Sequence, residues 1–216
     1  MKHASSRELF RYWTTLRGGR LAPPREAIDP AALRRVLGDS FVLGSGPATA
    51  PVIRLAGTRV CALFCRELKA TAFLQLWAGE SRGMTNSLVD LVTVELTAVV
   101  AGVLGQWRNG PPLPLELLLL PLAPGATRHS RLIGVLAPLA PAHWIGTRPV
   151  ETLTLGAFRH IAPEAAPASP RRAPVCGQPA GPVRYSRPGH KAPHLVVYEG
   201  GAATGRARSH RSLSDQ

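Results

Sequence analysis

A chain of 216 residues with 45% hydrophobic and 18% charged side chains is long enough for one well-buried core, yet its 21 Gly and 21 Pro indicate a part that does not pack. Its formal charge of +13 is unevenly placed: residues 1–164 carry 18 basic and 11 acidic side chains, residues 165–216 carry 8 and 2. Three cysteines, Cys61, Cys65 and Cys176, exclude a disulfide framework, and an N-terminus without an apolar h-region argues against a secretory signal, so a cytoplasmic protein is expected.

In chain order, Ser5 and Glu8 have the spacing of a capping box, and Leu9, Tyr12, Trp13 and Leu16 follow at helical spacing until Gly18-Gly19. This predicts an amphipathic helix with an aromatic face, which either meets a partner or packs on its own domain. Asp29 and Pro30 open a second, short helix, DPAALRRVL, ending at Gly38. Two brief β-branched runs, SFVLGS and APVIRLAGT, read as a hairpin.

The segment RVCALFCREL regains helical spacing, and TAFLQLWAGES adds short helical turns. Cys61 and Cys65 then fall four apart on one helix face, where they could meet a metal or pack as small hydrophobes among Val60, Leu63, Phe64 and Leu68. A structural zinc site would need two further ligands, and no Cys-x-x-Cys or nearby His pair supplies them, so no metal site is expected. The longest helix is predicted over MTNSLVDLVTVELTAVVAGVLGQWRNG, with Leu88, Leu91, Val92, Glu95, Val99 and Gly102 along or beside one stripe. Asp90 and Glu95 interrupt its apolar run, so it is not a membrane span.

Three extended runs follow, LPLELLLLPLA, RHSRLIGVLAPLA and VETLTLGAFRHI, separated by Pro/Gly turns. Two strands, helices, then three strands predict an α+β fold with a five-stranded antiparallel sheet and helices on one face. The expected organisation is a helical extension over 1–34, a domain over 35–162 and a Pro/Arg-rich disordered tail over 163–216 that contains the short apolar island HLVVYEGG.

This order, together with YWTTLRGGRLAPPREAIDPAAL and the later RLAGTRVCALFCREL and LW, resembles a family of stand-alone bacterial PAS-domain proteins over about residues 8–160. The resemblance implies a five-stranded sheet that cups a small pocket against its helices, and a regulatory or sensory role without assured catalysis. It names no cofactor. Cys65-Arg66-Glu67-Leu68 matches only a fragment of the stretch that holds flavin in some relatives, and the segment 84–107 contains no histidine for a haem.

On that fold, Leu55, Phe64, Phe73, Trp77, Leu118, Leu120, Ile133 and Val135 are the candidates to line a ligand cavity, or simply to fill a core. Leu9, Tyr12, Trp13 and Leu16 are the candidate contact surface for a protein partner or a second copy. No Gly-x-Ser-x-Gly elbow, His-Glu-x-x-His pair or phosphate loop occurs, so no enzyme is expected. The reading is a cytoplasmic sensor or adaptor acting through protein contacts, with or without gating by a small ligand in the cavity. The alternative is nucleic-acid binding through Arg171, Arg172, Arg184, Arg187, Lys191, Arg206, Arg208 and Arg211.

Overall fold

The computed structural model describes residues 1–45, 50–108, 110–123 and 130–161, all within one compact unit. The tail, HLVVYEGG and Cys176 lie outside the described residues. A six-stranded antiparallel sheet has the order β2-β1-β5-β4-β3-β6. Its strands are β1 Ser40–Ser45, β2 Val52–Ala56, β3 Ala98–Trp107, β4 Leu113–Leu122, β5 Ser130–Pro138 and β6 Val150–Ile161. Helices α1 Ala4–Arg17, α2 Thr58–Leu63 and α3 Gly79–Val94 complete it, with a 3₁₀ turn at Phe73–Leu76. The α+β class and the predicted hairpin of β1 and β2 are both present.

The strand count is the first correction, six rather than five, and it comes from the segment read as one long helix. α3 ends at Val94, and residues 98–107 form β3 instead, paired with β4 on one side and β6 on the other. The turn between them is made by Leu96 at φ 52, a left-handed position where glycine is the usual signal. Two other sequence readings shift. The helix α1 is capped by His3, whose Nδ1 accepts from Ser5 N, and not by a Ser5–Glu8 box. Asp29 does accept from Ala31 N at 2.9 Å, but the residues after it form successive turns rather than a helix.

The sheet carries a hydrophobic layer on each face, as the period of two requires. On the inner face, Leu115, Leu117 and Leu119 of β4 meet Val99, Ala101 and Val103 of β3, under Val60, Leu63, Phe73, Trp77, Leu88 and Val92 from α2, the 3₁₀ turn and α3. Phe41, Phe73 and Trp77 form a chain of ring contacts at 5.6 and 5.7 Å through this layer. On the outer face, Leu118, Leu120 and Leu122 lie with Val100, Ile133 and Val135 beneath Leu9 and Trp13 of α1 and Leu33 and Val36 of the following turns. Thus α2 and α3 share one face, as expected, and the N-terminal residues cover the other.

β6 is fastened from outside by the start of α3. Ala78 N donates to Leu153 O at 2.8 Å, and Leu155 N donates to Ser81 Oγ at 3.0 Å. Behind it, Trp107 and Trp144 stack at 4.4 Å and pin the connection between β5 and β6 to the end of β3.

Candidate functional site

The two faces are joined at one corner, where β1 begins. Asp39 precedes β1, is almost wholly buried, and has its carboxylate shared between the layers. Arg59 of α2 grips it with two bonds, Nε to Oδ1 at 2.7 Å and Nη2 to Oδ2 at 2.8 Å. Ser5 of α1 donates Oγ–H to Oδ2 at 2.6 Å. One carboxylate therefore ties the inner-face helix α2 to the outer-face helix α1. Burial pushes the Asp39 carboxyl up, but hydrogen bonds from Arg59 and Ser5 outweigh it and hold the group below its ordinary value.

The backbone makes room for this grip. A Cβ on Gly57, at the N-cap of α2, would lie 1.9 Å from Leu37 O and 2.5 Å from Gly38 O, so only glycine lets α2 start there. The Arg59 guanidinium in turn lies against Gly38, where a Cβ would stand 2.8 Å from its Cζ. Its Nη2 also donates to Arg35 O at 3.2 Å.

A second carboxylate fixes the start of α1 to the sheet. Glu116 of β4 accepts from Lys2 N at 2.5 Å and His3 N at 3.0 Å. Burial raises this carboxyl, and hydrogen bonding, first from Lys2 N and then from Ser6 and His3 N, more than reverses that, leaving it low. Further along α1, Trp13 Nε1 donates to Pro121 O at 2.7 Å. His3, Ser5, Asp39 and Arg59 open onto a cleft of about 380 Å³, walled by Leu63, Pro138 and Ile145.

The eight residues proposed to line a cavity do not share one. Phe64, Phe73 and Trp77 belong to the inner layer, whereas Leu118, Leu120, Ile133 and Val135 point to the opposite face and pack under α1. The alternation along β4 and β5 separates them. Leu55 pairs with Val42 and is 49% exposed. Of the four candidates on α1, Leu9 and Trp13 are buried against the chain's own sheet, at 0% and 2% exposure, while Tyr12 and Leu16 are half-buried. The aromatic stripe is mainly a docking face for this domain.

Cys61 and Cys65 do not share a helix face. α2 stops at Leu63, and Cys65 sits beyond its end at φ 50. Cys61 lies 3.7 Å from Glu67 Oε1, and burial, followed by that carboxylate, pushes its thiol up, the opposite of an activated thiolate. Among the described residues no cluster of three or more His, Cys, Asp and Glu could hold a metal ion.

Sequence reasoning missed Asp39, Arg59, His3 and Glu116 and saw Ser5 only as a cap. Arg59 stands inside the quoted RLAGTRVC stretch, but its partners lie 20 or more positions away, so no local spacing announces the network.

Two helical layers cover the antiparallel sheet, one of them the N-terminal helix, and a shared carboxylate links them at one corner. The PAS domain family matches residues 1–137, more than half of the chain, and the chain belongs to it. A PAS domain is a regulatory or sensory module. The match begins at residue 1, so it includes α1, and it ends within β5, so β6 lies outside it. No curated protein matches the chain. Among the described residues no helix is long and apolar enough to cross a membrane.

Proposed function

We propose that this chain is a cytoplasmic sensor or adaptor whose output is the docking of α1, and that it works by protein contact rather than catalysis. The observation that carries the reading is the sharing of Asp39 between Ser5 of α1 and Arg59 of α2. An event that moves α2 or occupies the cleft weakens the hold on α1, which shifts the population toward an undocked helix. Undocking would uncover Leu118, Leu120, Ile133 and Val135, an apolar face able to receive a partner protein or a second copy.

The experiment is amide hydrogen exchange by mass spectrometry on the full chain and on Ser5→Ala. The reading expects residues 4–17 to exchange faster in the variant while β4 and β5 keep their protection. If α1 exchanges only together with the sheet strands, it does not undock separately and the reading fails. The nucleic-acid alternative rests on arginines of residues 163–216, outside the described residues, and no described feature favours it.

A further inference from the structure

We propose that the 380 Å³ cleft at the start of α1 binds a small organic monocarboxylate, with Arg59 and His3 holding its oxygens and Leu63, Pro138 and Ile145 holding its apolar body. The inference rests on the function proposed above and names the ligand of that same junction.

The charge pair at the cleft is asymmetric. The Asp39 side chain is 5% exposed and the Arg59 side chain 57%, so the carboxylate is withdrawn and the guanidinium is what the cleft presents. Asp39 uses Nε and Nη2 of Arg59, which leaves the Nη1 donors without a partner among the described residues. The glycine at 38 lets the guanidinium lie flat on the backbone, and Asp39 fixes its plane, so the donors are held in place before any ligand arrives.

His3 supplies the second donor. Its Nδ1 accepts from Ser5 N at 3.2 Å, so in the neutral ring the proton sits on Nε2 as a donor. Two donors and three apolar side chains lining one cleft fit a molecule with an oxygen pair at one end and a short hydrocarbon body. The Arg59–Asp39 pair is neutral in sum, so the hold on a ligand comes from oriented N–H donors rather than from net charge, and each further negative charge on the ligand would face Asp39 at added cost. Inorganic phosphate also lacks the body that the apolar wall would cover.

Hexanoate is the probe. Titrated into the ¹⁵N-labelled full chain and followed by NMR, it should give saturable shifts at the amides of His3, Ser5, Arg59, Leu63 and Ile145, with a Kd on the order of 1 mM. Hexanamide, its neutral isostere, and inorganic phosphate should each bind at least about tenfold more weakly. Ile145→Trp fills the cleft without touching the polar network and should abolish the shifts; Arg59→Lys keeps a cation beside Asp39 but loses the fork and should weaken binding about tenfold. The proposal is overturned by the absence of saturable shifts, by shifts centred on Phe73 and Trp77 in the inner layer, by equal binding of hexanamide, or by binding that survives Ile145→Trp. Exchange of α1 in Ser5→Ala, by contrast, bears on the proposed function alone, so the two can fail separately.

Discussion

If Asp39 couples the two helical layers, removing its two partners must cost more together than the sum of the separate losses. Ser5→Ala deletes one buried hydrogen bond to an ionised group, at 2.6 Å, which is worth about 1.5–3 kcal/mol. Arg59→Met deletes two bonds to the same carboxylate, but the Arg59 side chain is 57% exposed, so solvent screening reduces the loss to about 1–2 kcal/mol. With Arg59 gone, the buried carboxylate keeps only Ser5. Removing that last donor then leaves a charge with no compensation, and the double variant should exceed the sum by at least about 0.5 kcal/mol. Urea denaturation at pH 7, followed by tryptophan fluorescence, to which buried Trp13 and Trp77 contribute, measures all four corners of the cycle. Additivity within about 0.3 kcal/mol would refute the reasoning, because Asp39 would then be two independent contacts rather than a junction.

Gly57→Ala should destabilise the domain by about 3 kcal/mol or more, since the new Cβ meets backbone carbonyls that cannot turn aside; a melting temperature within two degrees of wild type would contradict it. Trp13→Ala should cost about 3–5 kcal/mol and speed exchange across residues 4–17, whereas an exposed helix would lose almost nothing. Both Asp39 and Glu116 are held below their unfolded values, so they bind protons more readily when the chain unfolds. Their stabilisation is complete above the ordinary carboxylate range of about 4 and is lost as pH falls through it and below; a fall in α1 protection that begins near pH 7 instead would point to other groups. Peptide-resolved alkylation at pH 8 should label exposed Cys65 several-fold faster than Cys61, whose thiol is pushed up by burial, and equal rates would contradict that placement.

Much of the fold is legible in the sequence because turn residues and period changes coincide with its boundaries. Gly18-Gly19 ends α1, and proline and glycine separate β4, β5 and β6. The failures have one physical origin in two places. α2 and α3 each terminate at a non-glycine residue in the left-handed region, Cys65 at φ 50 and Leu96 at φ 52, so the chain carries no stop sign at either end. The missing sign let the α3 pattern run on into AVVAGVLGQW, a continuous apolar stretch that periodicity cannot assign between buried helix and central strand. The same missing sign placed Cys61 and Cys65 on one helix face.

The candidate site was less legible for a different reason. β4 reads LPLELLLLPL, apolar on both faces, so nothing in it says which leucines face α1 and which face α3. Only Glu116 breaks the run, and its purpose is visible only once Lys2 and His3, more than a hundred positions earlier, are seen to donate to it.

The chemistry of the two helix attachments decides where a signal can enter. α3 is fastened to β6 by Ala78 N to Leu153 O and by Leu155 N to Ser81 Oγ, neutral hydrogen bonds that no change of charge can release. The start of α1 is fastened by two buried carboxylates, Glu116 and Asp39, each of which depends on remaining ionised and on keeping its donors. A bond to an ionised group is stronger than a neutral one, and it is also the kind that a proton or a competing anion can break. Trp13 and Leu9 hold the middle of α1 by packing, so losing the polar clamp loosens the helix from its N-terminal end first. α1 and α2, which share the Asp39 carboxylate, are therefore the helices whose docking answers to charge at a solvent-facing cleft, whereas the attachment of α3 does not, and α1, held there by Ser5 and by Glu116, is the one that a change in that cleft loosens at its first turn.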